Sequence, residues 1–377
     1  MPGRFDASLD DLAAILAGEP AYRVRQVWRN LYLGREPEEM TDLPLRLRAR
    51  LAGELVPALR AVATSVDAEG DTTKWLWALE GGARVETVLM KYPSGRVTVC
   101  VSTQAGCAMA CTFCATGQAG FERHLTAGEI VEQVIRARRH IGEDRAVQQA
   151  DGKGGGAGVP AASGGLPAWP TELERPKDPG ARRISNVVFM GMGEPMANYP
   201  AMWAAVERLH GDVGLSARHL TVSTVGIVPG ILRLAEERLP VNLAVSLHAA
   251  NDELRDSLVP INRRYPLAAV VEACQAWVAS KNRRLSFEWA LIDGTNDRPS
   301  DAAELARLAR PLAAHVNLIP LNPTPGYLTR GTPAAGVRAF RDRLVAAGVN
   351  ATIRRNRGTD IAAACGQLAG AGQPPSA

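Results

Sequence analysis

Gly106-Cys107-Ala108-Met109-Ala110-Cys111-Thr112-Phe113-Cys114 is the stretch whose reading decides this chain. Three cysteines at C-x3-C-x2-C spacing supply three thiolates and no fourth. A structural zinc site closes itself with four ligands, and a ferredoxin-type cluster takes four thiolates, one per iron. Three leave one metal ion with open coordination, where a substrate or cosubstrate can bind and react. The plain alternative is three free cysteines buried in a core. Against it, half of the chain's six cysteines fall between Cys107 and Cys114, with Gly106 and Gly117 on either side.

The rest of the composition narrows the setting. At 377 residues and 46% apolar, the chain is long and apolar enough for a sizeable core. No uncharged apolar run reaches the ~18 residues that a membrane span needs, so no membrane association is expected. Met1-Pro2-Gly3-Arg4-Phe5-Asp6 lacks the pattern of a signal peptide. A cytoplasmic location is therefore expected, where clustered thiols read as metal-binding or catalytic. A net charge of +4 permits a nucleic-acid partner without demanding one. Arginine-rich runs say more: Arg23/Arg25/Arg29, Arg46/Arg48/Arg50, Arg136/Arg138/Arg139, Arg182/Arg183, Arg263/Arg264, Arg283/Arg284 and Arg354/Arg355/Arg357. Guanidinium forks match phosphate oxygens, so these runs favour a phosphate-bearing partner.

Residues 1–62 read as a small helical module. Val24, Val27, Trp28 and Leu31 recur at helical spacing, and Thr41-Asp42-Leu43-Pro44 looks like a helix start ahead of Leu45, Leu47, Leu51 and Leu55. Residues 63–95 turn strand-like. From 96 to 358, strands expected at 96–101, 185–190, 219–223, 241–246, 285–290 and 315–319 alternate with helices near 126–140, 199–210, 229–237, 266–280, 301–311 and 333–347. Six β/α units in series argue for an α/β fold, either an open doubly wound sheet or a barrel. Residues 150–181, rich in glycine and proline, are expected to be a disordered insertion, in which Trp169 alone has something to dock with. A C-terminal loop, 359–377, closes the chain.

Unusual residues recur at the predicted strand ends, where a β/α barrel keeps its chemistry. The cysteine loop follows the first strand, Gly191-Met192-Gly193-Glu194-Pro195 the second, and Ser223-Thr224 ends the third. Ser246-Leu247-His248 ends the fourth, and Pro320-Leu321-Asn322-Pro323 the sixth.

Together with Ala115-Thr116-Gly117, Asn317-Leu318-Ile319-Pro320 and Ala363-Ala364-Cys365-Gly366-Gln367-Leu368, these motifs resemble the RlmN family. Its members are radical S-adenosylmethionine (SAM) methyltransferases acting on adenine C2 in 23S rRNA and tRNA. The resemblance runs from about residue 20 to 370, interrupted by the Gly/Pro-rich stretch. It implies a partial (β/α)6 TIM-like radical SAM barrel with a small N-terminal helical accessory domain that holds RNA. It implies a 4Fe-4S cluster on Cys107, Cys111 and Cys114, and SAM held by Gly193, Glu194, Ser223, Ser246, Leu247, His248 and Asn322. Cys365 would carry the methyl group as S-methylcysteine, Cys100 would resolve the intermediate through a transient disulfide with Cys365, and Glu86 would be the proton acceptor. The implied substrates are adenosine 2503 of 23S rRNA and adenosine 37 of tRNA. A one-electron reductant such as flavodoxin and a monomeric state complete the expectation.

The chemistry explains why two further cysteines accompany the cluster. The hydrogen on adenine C2 is not acidic enough for a side-chain base to remove, so direct attack on SAM fails. A thiolate can instead take a methyl group from one SAM by displacement. A radical generated from a second SAM then activates that methyl group for addition to C2. Two other readings stand beside this one: a Cfr-type adenine C8-methyltransferase using the same cysteine pair, and a non-catalytic iron–sulfur or zinc RNA-binding protein. Cys274, between apolar neighbours, reads as core.

Overall fold

The computed structural model describes residues 3–151, 183–324 and 329–370. The expected insertion lies outside the described residues from position 152 on, and Trp169 with it. Among the described residues, ten strands form one sheet: β1 (Arg60–Val66), β2 (Thr72–Ala78), β3 (Arg84–Lys91), β4 (Val97–Cys100), β7 (Asn186–Phe189), β8 (Leu220–Thr224), β9 (Asn242–Ser246), β10 (Leu285–Leu291), β11 (His315–Pro320) and β12 (Ala351–Ile353), in that spatial order. β5 (Gln104–Gly106) and β6 (Phe121–His124) pair separately as a hairpin. From β4 to β12 every neighbour is parallel; β1 to β4 are joined antiparallel.

All six strands predicted from 96 onward form, as β4 and β7 to β11, with helices between them. Alternation within β10 explains the layering. Phe287 and Trp289 point to the helical side, where Trp289 stacks on Phe340 of the helix Ala334–Ala346 at 6.0 Å. Glu288 and Ala290 face a cavity on the other side. That cavity meets residues of β3, β4 and β7 to β11. Seven strands laid flat would span roughly 29 Å at ~4.8 Å per strand, so one cavity meets them all only because the sheet curls around it. The result is a partial TIM-like barrel, open between β1 and β12, neither of which has a second neighbour among the described residues.

The N-terminal helices Leu9–Ile15, Tyr22–Tyr32 and Leu45–Glu54 pack against this barrel. Val27 and Leu31 are buried as their spacing predicts, and Leu47, Leu51 and Leu55 follow suit. Leu45 does not: it is exposed, at the first turn of its helix. β1 begins at Arg60, inside the span expected to be helical, because antiparallel pairing with β2 captures it. The module's apolar side chains merge into one core with those of the barrel.

Polar contacts clamp the two together. Glu132 accepts from Ala58 N at 2.9 Å, Trp28 Nε1 donates to Asp212 at 2.8 Å, and Arg208 donates to Phe5 O. The run Arg136/Arg138/Arg139 is spent on this seam rather than held out for phosphate. Arg136 pairs with Glu132 and Glu36, Arg138 donates to Tyr32 O, and Arg139 pairs with Glu39.

Candidate active site

The cysteine loop is set by the hairpin beneath it. Cys107 N donates to Gly120 O at 2.7 Å. A Cβ on Gly106 would sit 1.9 Å from that same carbonyl, and Gly106 holds φ at +70°, so only glycine fits. Cys111 and Cys114 line the cavity with Phe113 between them. Burial pushes the Cys107 thiol up to about 12 and the Cys111 thiol well above its usual range, each raised further by its neighbouring thiols. Cys114 is raised by burial too, against the pull of backbone hydrogen bonds at Thr116 and Gly117.

A crowded, buried set of thiols that resist ionisation on their own suits a cationic metal centre. Among the described residues, no three His, Cys, Asp or Glu side chains converge to hold a single ion. A four-iron cluster asks for something else, one thiolate on each of three irons, and a loop bearing three spaced sulfurs meets that demand.

The Gly-x-Gly turn after β7 lies beside the cysteine loop. Its glycines serve the chain before any ligand: a Cβ on Gly191 would lie 2.7 Å from Val101 O, and one on Gly193 would lie 2.5 Å from Gln104 Cβ. Glu194, next in line, is buried on the cavity wall. Its Oε1 accepts from Met196 N at 2.9 Å and its Oε2 from Val225 N at 2.8 Å. Burial lifts its carboxyl to about 7, against those hydrogen bonds. The Thr224 hydroxyl is a third donor to it, and the carboxylate keeps acceptor capacity for one cationic group.

Ser223 and Ser246 line the cavity, as do His248 and Asn322. His248 adopts φ +60°, takes a hydrogen bond from Ala290 N on Nδ1 at 3.0 Å and meets the Phe113 ring edge-on at 4.8 Å. Burial drops its pKa to about 3, so the ring is neutral. Leu247 is different. Its side chain is wholly buried away from the cavity, its N–H donates to Glu288 O and its carbonyl accepts from Arg255 Nε.

Cys100, at the end of β4, faces the same cavity, and so does Cys365. Cys365 lies close enough for its charge to raise both Cys100 and Cys114. Burial is the larger cause at Cys100, which reaches about 12. The loop bearing Cys365 is pinned from several sides: Asn322 donates to the Cys365 carbonyl, Ala115 N to Gly366 O, and Thr116 Oγ1 to Leu368 O.

Glu86 is buried on β3 but is not on the cavity wall; Val88 and Met90, on the same face of that strand, are. It lies under the C-terminal loop, with Oε1 3.4 Å from Lys74 Nζ. Burial raises its carboxyl and Lys74 pulls it back.

Two further residues on the cavity wall escape a reading of motifs, Glu288 and Asn356, and Arg354, read as part of an arginine run, stands there too. Arg354 is held more firmly charged by Cys365, then by Glu288 and Cys100. The sequence signal for Glu288 is a charge between Phe287 and Trp289 in an apolar strand.

A curled α/β barrel with a three-cysteine loop at its mouth, beside a wall of strand-end polar groups, is a radical SAM methyltransferase architecture. The crystal structure of a radical SAM methyltransferase from Sphaerobacter thermophilus superposes with a TM-score of 0.84 at 44% identity, over 98% of this chain and 100% of that one. No protein-family model matches the chain. A relative from Chloroflexus aurantiacus is 49% identical over 378 residues, 97% of this chain and 92% of its own. Another from Parafrankia sp. is 49% identical over 381 residues, 98% of this chain and 91% of its own. Both bear the name probable dual-specificity RNA methyltransferase RlmN. The chain belongs to the RlmN family of radical SAM RNA methyltransferases, which implies SAM and a 4Fe-4S cluster. Among the described residues no helix is long and apolar enough to cross a membrane.

Proposed function

We propose that this enzyme methylates C2 of adenosine 2503 in 23S rRNA and of adenosine 37 in tRNA, consuming two SAM per turnover. The observation that carries the reading is that Cys100, Cys365 and two of the loop's three cysteines, Cys111 and Cys114, line one cavity; Cys107 is not on its wall.

Cys107, Cys111 and Cys114 would hold the cluster, which when bound supplies the electron that splits SAM into methionine and a 5'-deoxyadenosyl radical. Gly193, Glu194, Ser223, Ser246, His248 and Asn322 would surround SAM, with Glu194 accepting from its amino group. Leu247 would contribute by shaping the turn, since its side chain points into the core. The Cys365 thiolate attacks the methyl carbon of a first SAM, releases S-adenosylhomocysteine and carries the methyl group as a thioether. The 5'-deoxyadenosyl radical takes a hydrogen from that methyl group, the carbon radical joins C2, and the one electron that the adduct gives up would return to the cluster. Cys100 as thiolate then attacks the Cys365 sulfur; the S–C electron pair goes to the carbon, which takes up a proton as the new methyl group, and the two sulfurs form a disulfide. Glu86 takes the proton that leaves C2.

The helical module, residues 1–62, would hold the RNA fold, ahead of the β-rich segment 63–95, the core 96–358 and the loop 359–377. A monomer working in the cytoplasm with a reductant of the flavodoxin kind fits this reading. Cys100→Ala purified from cells is its test. RNA covalently attached through Cys365 is the expected result, with the attachment mapped to C2. Adduct-free protein with unmodified Cys365 overturns the reading, and attachment at C8 replaces it with the Cfr-type reaction.

A further inference from the structure

Lys74 belongs to none of the sequence motifs, yet it stands where two of the proposed actors meet. It lies on β2 directly opposite Val88 of β3, next to the cavity-lining row. Its ammonium is 3.4 Å from Glu86 Oε1 and donates to Ala362 O at 3.2 Å. Ala362 is three residues before Cys365 and is held at φ +52°, a costly conformation for a residue with a Cβ. The loop therefore bends unfavourably at the residue whose carbonyl Lys74 takes.

Glu86, only 2% exposed, has a second oxygen that is equally buried and meets no hydrogen-bond partner. A buried acceptor without a donor is costly, and its presence beside a paired lysine points to a partner that arrives during the reaction. The neighbours of Glu86 are few in kind. Lys74 comes from β2, and the Ser102 hydroxyl, at the end of β4, bonds its carbonyl at 2.6 Å. From the C-terminal loop the backbone N–H of Ala369 is a further hydrogen-bond donor to the carboxyl, which leaves Oε2 as the acceptor without a partner. Lys74 is the charged group among them.

We propose that Lys74 is a positioning residue: its ammonium latches the Cys365 loop to β3 through Ala362 O and holds the Glu86 carboxylate beneath that loop for its part as proton acceptor. This rests on the reading of Cys365 as methyl carrier and Glu86 as proton acceptor. Two functions in one ammonium can be separated. Lys74→Gln keeps a donor for Ala362 and removes the charge; Lys74→Met removes both; Lys74→Arg keeps both.

The experiment is the pH dependence of single-turnover RNA methylation by the cluster-loaded enzyme, with the methyl group on Cys365 followed by intact mass. Loss of a cation a few ångströms away raises a carboxyl by about one pH unit or more. The acid limb of the profile should therefore move up by about a unit in Lys74→Gln and Lys74→Met, and stay in place in Lys74→Arg. Cys365 should remain methylated in Lys74→Gln. A limb that does not move in Lys74→Gln overturns the proposal, whatever the rate, and the unmoved limb of Lys74→Arg shows that the shift follows the charge and not a disturbed fold. Wild-type enzyme that carries no methyl on Cys365 instead removes the reading beneath it, so the two failures are told apart.

Discussion

The side-chain amide of Asn322 donates to the backbone carbonyl of Cys365 over 3.1 Å, tying the turn after β11 to the loop that carries the thiol. The same side chain accepts from Asn356 Nδ2 at 2.7 Å, and Asn356 also donates to Pro320 O at 3.0 Å. Two amides thus link the ends of β11 and β12 to Cys365, on the wall of the cavity where SAM is proposed to bind.

Asn322→Ala breaks both ends of that link. The Cys365 carbonyl and the Asn356 amide each lose a partner, a cost of ~1–2 kcal/mol to stability. The larger effect falls on the loop. Less methyl on Cys365, read by intact mass, and RNA methylation slowed by about tenfold are expected. Wild-type methyl occupancy in this variant would argue that the loop is held by its other hydrogen bonds alone.

Arg255 supports the opposite wall. It is fully buried on the helix Asp252–Leu258 and gives hydrogen bonds to Leu247 O at 3.0 Å, Val225 O at 2.5 Å and Asn262 Oδ1 at 2.7 Å. The turns after β8 and β9 therefore share one guanidinium. Arg255→Met leaves these acceptors buried without donors, which costs on the order of 3–5 kcal/mol. Urea unfolding should register that loss. A variant as stable as wild type would mean that water replaces the guanidinium.

These two residues mark the limit of what the sequence discloses. The cysteine loop, the strand ends and the order of β/α units were legible because each is local: a motif sits within a few residues, and parallel strands are short apolar runs between helical patterns. Arg255, Glu288 and Lys74 were not, because their roles come from partners far along the chain. The Arg136/Arg138/Arg139 run shows the reverse error. Its composition suits phosphate, but Glu36, Glu39 and Glu132 claim it in three dimensions. Glu86 also reads as a cavity residue from its motif, yet its strand face carries it beneath the C-terminal loop.

His315 gives the fold a pH dependence away from the site. It begins β11, is 8% exposed, and its Nε2 lies 2.9 Å from Thr352 Oγ1 on β12. Burial, aided by Arg284, lowers its pKa to about 4 from the ordinary 6.5. The folded state thus binds this proton less readily than the unfolded chain. Stability is fully present above pH 6.5 and is lost as pH falls through about 4. The difference amounts to at most about 3 kcal/mol. His315→Gln, which cannot take up the proton, should flatten the stability curve over that range in denaturant melts at stepped pH. An unchanged slope would assign the acid sensitivity to other groups.

The helical module offers the last test, and its packing decides the design. Deleting residues 1–60 would strip Val27, Leu31 and Leu51 from a core shared with the barrel and leave Glu132 without Ala58 N. Loss of RNA methylation would then report unfolding as readily as lost binding. Arg25, Arg46 and Arg50 are exposed on the module, and none has a partner among the described residues. Changing all three to glutamine removes charge without touching the core, so stability should stay within about 0.5 kcal/mol. If the module holds RNA through its phosphates, affinity for a tRNA or rRNA fragment should fall. The dependence of log affinity on log salt should become shallower by about one for every phosphate that these arginines neutralise. SAM cleavage in the absence of RNA should not change, because these side chains lie on a different module from the cavity-lining residues. Equal affinity and equal salt slope in the triple variant would move the RNA-binding surface off the module.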